Sequence, residues 1–249
     1  MRKTALQLLF LRTRQLADRM RAQEVSNTLW GFGKLLNTAK EFEAENKKEF
    51  EAQKKTVEAV LKQTARVARK LGKLEPEGVS NILWAMATLA EKGFKVEEEK
   101  MRAMSVEAVR VAADLSPQGV CNVLWAWAIL TEKGKKGSAG GMDVDEANVR
   151  ALSEETSRVA RWLSAQELST ILWAWSKFTQ LGVGGGDSGE GGLKNVRSFY
   201  NGKALNAVTK RAAQIMPELE RTKEGNITIN ALKLLNDAEK NLRDETFLQ

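Results

Sequence analysis

Apolar residues recur along this chain in a short word that is spelled four times. It reads EVSNTLWGFGKL from Glu24, GVSNILWAMATL from Gly78, GVCNVLWAWAIL from Gly119 and ELSTILWAWSKF from Glu167. At roughly 100° per residue, the second copy separates into two helical faces. Val79, Ile82, Leu83, Met86 and Leu89 gather on one side, and Glu77, Asn81, Trp84, Thr88 and Glu91 on the other. Small residues flank the tryptophan: Gly31 and Gly33, Ala85 and Ala87, Ala126 and Ala128. A helix that is apolar on nearly all sides and lined by small residues predicts close packing between neighbours. A segment repeated in this way buries its surface only by stacking on copies of itself.

The leading tryptophans, Trp30, Trp84, Trp125 and Trp173, lie 54, 41 and 48 residues apart. The spacing predicts a unit of about forty residues with insertions in its loops. Lys40 to Lys55 reads as a charged helical extension, and Gly134 to Asp145 and Gly182 to Gly192 as flexible glycine-rich loops. Each unit reads as two helices. The first opens at Ser116-Pro117, an N-cap before proline, or at Ser164 to Glu167, a capping box. It is expected to end near Gly93, Gly134 or Gly182. The second carries Arg66-Val67-Ala68, Arg110-Val111-Ala112, Arg158-Val159-Ala160 and a relaxed Arg211-Ala212-Ala213.

The fold expected is therefore all-α, an α-solenoid of about four to five stacked helix-turn-helix repeats forming one domain over residues 1–249. Repeat words fall at 20–37, 74–93, 115–134 and 163–182, with an eroded capping repeat at about 220–244. The N-terminal stretch, with Arg2, Lys3, Arg12 and Arg14 and no acid before Asp18, has the composition of a transit peptide. Its alignment with Arg110 to Val120 favours the second helix of a preceding repeat.

Composition narrows the chemistry. The chain has 249 residues, 43% hydrophobic, three prolines and one tyrosine, which suits a helical fold with an ample core. It contains no histidine, which removes the commonest general base, the Ser-His and Cys-His pairs and the commonest transition-metal ligand. The one cysteine, Cys121, forms no internal disulfide and replaces Ser26, Ser80 and Ser169 of the other words. Neither glycine tract ends in the Gly-Lys-Ser/Thr of a phosphate-binding loop. No enzyme, cofactor, metal, small-molecule substrate or membrane span is expected.

The net charge is +7, compatible with a polyanionic partner and equally with solvated helix faces. Arg66, Arg69, Lys70, Arg110, Arg158, Arg161, Lys210 and Arg211 on the second helices are the candidate phosphate contacts, since stacking aligns them in a stripe. The competing reading is an outer face on which they pair with acids. Gln23, Gln118 and Gln166, with Glu77, are the candidate base contacts on the first helices. The tryptophans are read as packing between units in preference to a base-stacking ladder, and Asn27, Asn81 and Asn122 as helix–helix hydrogen-bonding residues.

Leu115 to Gly134, LSPQGVCNVLWAWAILTEKG, and Leu163 to Gly182, LSAQELSTILWAWSKFTQLG, resemble the octotricopeptide repeat. The Leu-Trp-Ala signature is also similar to the helical repeats of RAP-domain and FAST-kinase-like proteins. The resemblance covers about residues 14 to 235 with gaps, and no RAP domain is recognisable after Glu220. It implies a right-handed α-solenoid acting on RNA in a mitochondrion or, alternatively, a chloroplast. The implied roles are RNA metabolism, translation, or a peripheral place in an organellar ribosome. The alternative is a protein–protein scaffold in a large organellar assembly that never meets RNA.

Overall fold

A computed structural model describes residues 2–38, 47–69, 74–137, 144–181, 183 and 202–219. These residues form α-helices joined by turns and contain no strand. In chain order the helices are α1 (Arg2–Leu16), α2 (Ala22–Thr38), α3 (Lys47–Arg69), α4 (Pro76–Glu91) and α5 (Glu98–Arg110). They continue with α6 (Pro117–Lys135), α7 (Glu146–Val159), α8 (Ala165–Gln180) and α9 (Gly202–Leu219). The expected eroded repeat at 220–244 lies outside the described residues, as do most of both glycine tracts.

The helices α2, α4, α6 and α8 carry the repeated word and pack side by side in one layer. The helices α1, α3, α5, α7 and α9 form the second layer, each beside the next. This is an α-solenoid. The first helices contact one another more extensively than the second helices do. The N-terminal α1 occupies a second-helix position, packed on α3.

Local signals set the helix starts. The Ser116 hydroxyl accepts from the Gly119 N–H at 3.1 Å, and Pro117 opens α6. At α8, Ser164 and Glu167 cap each other's backbone reciprocally. After α4 the chain turns at Gly93, whose φ of +82° suits glycine. As expected α6 ends beside Gly134, at Lys135, and the chain then turns at Gly137, with φ +63°. A glycine inside a helix costs only about 1 kcal/mol, which the buried apolar face offsets.

The second-layer helices α1, α5 and α7 end alike. Short 3₁₀ turns at Ala17–Arg19, Ala112–Asp114 and Ala160–Trp162 each lead to an extended residue, Met20, Leu115 or Leu163. The alanines are buried, so each corner is pinned inside the stack.

The core follows the predicted face: Val79, Ile82, Leu83, Met86 and Leu89 are fully buried. One core position varies in size, and its partner on the preceding second helix varies with it. Phe32 stacks on Phe10 with ring centroids 5.1 Å apart. Trp127 and Trp175 donate their indole N–H to Ser105 at 2.9 Å and Ser153 at 3.0 Å. In the second unit Met86 and Leu61, both buried, hold the same two positions. In the third and fourth units a large residue thus faces a small one, and an indole N–H meets a hydroxyl.

Ser105→Ala is expected to cost about 1–3 kcal/mol in urea denaturation, because it strands a buried indole N–H. Ser105→Leu, which overpacks the site, is rescued by adding Trp127→Met. A double variant no more stable than Ser105→Leu contradicts the pairing.

Candidate nucleic-acid interface

At every first helix, the residue two positions into the word donates to the N-cap carbonyl. The bonds are Val25 to Arg21 (3.0 Å), Val79 to Glu75 (3.1 Å), Val120 to Ser116 (3.0 Å) and Leu168 to Ser164 (2.9 Å). The carbonyl just before each cap is left over. An arginine of the following second helix takes it. Arg66 Nη2 donates to Met20 at 2.5 Å and Arg110 Nη2 to Leu74 at 3.0 Å. Arg158 Nη2 donates to Leu115 at 2.8 Å, and Arg211 Nε to Leu163 at 2.9 Å.

The residue three positions earlier steadies three of these guanidiniums. Gln63 accepts from Arg66 Nε at 2.7 Å, buried Glu107 from Arg110 Nη2 at 2.7 Å, and Glu155 from Arg158 Nε at 2.6 Å. The hydrogen bond and charge of Glu107 raise the Arg110 pKa against the opposing effect of burial. Four residues of the stripe expected to track phosphates thus fasten corner carbonyls, with carboxylates beside Arg110 and Arg158.

The remaining second-helix candidates are dispersed. Arg161 is exposed, its guanidinium carbon 3.9 Å from the centroid of the exposed Trp162 ring. Lys210 is exposed on α9. Arg69 ends α3, its side chain outside the described part of the structure, and Lys70 lies outside the described residues.

The first helices present a different surface. Residues at four- and three-residue steps align along each: Gln23, Asn27, Trp30; Glu77, Asn81, Trp84; Gln118, Asn122, Trp125; Gln166, Thr170, Trp173. Trp30 is 41% exposed, and Trp84, Trp125 and Trp173 are half-buried against the core. In the doubled Leu-Trp-Ala-Trp words the second tryptophan is core, and the first lines the open side. Trp84 and Trp125 lie 6.4 Å apart across two units, tilted by 31°. They bridge units, as packing predicts, and still show an outer face.

Gly33 makes room for Trp84. A Cβ there would stand 2.8 Å from the indole Cζ3. Lys34 Nζ sits 4.8 Å from the Trp84 ring centroid and 5.4 Å from that of Trp30. One open cavity of about 340 Å³ draws residues from all four first helices, among them Lys34, Trp84, Gln118, Asn122, Trp125 and Gln166.

Among the described residues, the side-chain amides of Gln23, Asn27, Asn81, Gln118, Asn122 and Gln166 make no hydrogen bond to the protein. This corrects the helix–helix role expected of the asparagines. The neighbouring position joins the helices instead, where Ser26 donates to the Gly78 carbonyl at 3.1 Å and Cys121 to the Glu167 carbonyl at 3.3 Å. Burial and the Glu167 charge push the Cys121 thiol well above its ordinary pKa, so it is a packing group. Sequence reasoning misses the tryptophans and Lys34 as surface chemistry, although their spacing after the amides places them on the polar face.

Among the described residues no cluster of three or more His, Cys, Asp or Glu suits a metal ion, and no helix is long and apolar enough to cross a membrane. Comparison with protein-family models, curated proteins and solved structures returns no match.

Arg158→Ala is expected to lower stability by about 1.5–3 kcal/mol in chemical denaturation, since it unpairs a corner carbonyl and Glu155 together. Unchanged stability contradicts a fastening role. Cys121 is expected to resist alkylation by iodoacetamide in the folded protein and to react fully in denaturant; rapid labelling of the native chain contradicts its burial.

Proposed function

We propose that this chain is an RNA-binding helical-repeat protein that holds a single strand in the first-helix groove. Aromatic planes and unpaired amides in register, one set per unit, carry the reading. Bases stack on the outer faces of Trp30, Trp84 and Trp125, and amides such as Gln118 and Asn122 bond base edges. Lys34 supplies positive charge among the rings. At the far edge Glu132 accepts from Lys136 at 2.8 Å and Lys177 at 3.5 Å, so that edge is self-compensated and the strand runs nearer the amides. Resemblance to the octotricopeptide repeat supports RNA as the ligand. By the same resemblance the protein acts in organellar RNA metabolism or translation, or at the edge of an organellar ribosome, with a mitochondrion preferred to a chloroplast.

A protein scaffold is the second reading. Leu8, Leu9 and Leu11 on α1 are 60%, 57% and 53% exposed, an apolar patch that suits a protein neighbour. Crosslinking in organelles that yields protein neighbours and no RNA favours the scaffold.

Trp84→Ala and Trp125→Ala are each expected to weaken binding of a single-stranded RNA oligonucleotide by about 1–3 kcal/mol, read by fluorescence anisotropy. Equal affinity in both variants and the unaltered protein contradicts stacking in the groove.

A further inference from the structure

The corner that opens the first unit differs from those that open the third and fourth. Aligned on the 3₁₀ turns, Asp114 and Trp162 of the later corners correspond to Arg19, and the N-cap residues Ser116 and Ser164 correspond to Arg21. The fastening arginine also differs, because Arg66 leans on neutral Gln63 where Arg110 and Arg158 lean on glutamates. A cavity of about 500 Å³ opens there, lined by Arg19, Arg21, Arg66 and Gln23 with Met20 and Val67.

The charges in this cavity do not cancel. Glu24 pairs with Arg21, its Oε1 2.7 Å from Nη2, and so offsets one guanidinium. Asp18 accepts from Gln63 at 2.8 Å and is not part of the lining. Arg19 is exposed and makes no side-chain bond among the described residues. Arg66 uses Nε and Nη2 on the protein, which leaves Nη1 with its donors. Two guanidiniums with spare N–H groups therefore border one opening, and Gln23 joins that opening to the first row of the groove.

We propose that this cavity binds the terminal phosphate of an RNA strand lying in the groove, an inference that rests on the groove reading. A terminal phosphate ester carries about −1.5 to −2 charge at pH 7 and three free oxygens. An internal phosphodiester carries a single charge. Two uncompensated guanidiniums match the former in charge and in their number of donors.

The test uses the full chain and three ten-nucleotide RNAs of one sequence, bearing a 5′-phosphate, a 3′-phosphate or hydroxyls at both ends. One phosphorylated form is expected to bind about tenfold more tightly than the hydroxyl form, and which end wins fixes the strand's polarity. In Arg19→Ala, which removes an exposed side chain that makes no hydrogen bond or ion pair among the described residues, the phosphorylated RNA is expected to fall to the affinity of the hydroxyl RNA in that same variant. Equal binding of all three by the unaltered protein overturns the phosphate site and leaves the groove standing. A preference that survives Arg19→Ala also overturns the site. Failure to bind any of the three overturns the groove reading and this inference with it.

Discussion

Every first helix in this array begins with a backbone carbonyl that its own helix leaves unused. The cap carbonyl takes the first helical bond, and the residue before it, at Met20, Leu115 and Leu163, is extended between two helices. A buried carbonyl without a donor costs about 1–3 kcal/mol, so the corner needs a partner from elsewhere in the chain. The arginine of the following second helix is long enough to supply one, and its planar head bonds a carbonyl and a glutamate together at Arg110. Because the donor lies on one second helix and the acceptor at the end of the one before, each bond fixes the stagger between neighbouring units. The apolar face gives the stack its stability; the guanidinium sets its register.

That use of the arginines decides where binding chemistry remains. The nitrogens that hold neighbouring units together are closed to a ligand, which would have to displace those bonds, and only donors left over beside them, such as Arg66 Nη1, stay open. On the first helices the opposite holds: the amides make no hydrogen bond to the protein among the described residues, and the leading tryptophans are only partly buried. The groove is rigid because its walls are core helices, which lets exposed groups sit at fixed spacing without ordering costs at binding. The two tryptophans of the doubled word divide the work, Trp127 filling the interior and Trp125 facing outward.

Much of this fold is legible in the sequence. Helix starts follow from Ser116-Pro117 and the Ser164–Glu167 box, because capping is local. The buried face of α4 follows from periodicity. The turns are less legible, since Gly134 and Gly137 carry the same letter and only the positive φ marks Gly137 as the one that turns the chain. The arginines show the limit most clearly. Arg158 and its acceptor Leu115 stand 43 residues apart, and a clamp and a phosphate ligand look identical in a repeat alignment. The asparagines mislead for a related reason: helical spacing assigns a side to a residue and cannot say whether a neighbour covers it.

Photocrosslinking of a 4-thiouridine RNA, with the attachment sites read by mass spectrometry, tests the division between fastening and binding layers most directly. Crosslinks are expected in α4 and α6 around Trp84 and Trp125. Crosslinks confined to α5 and α7 around Arg110 and Arg158 would contradict that division.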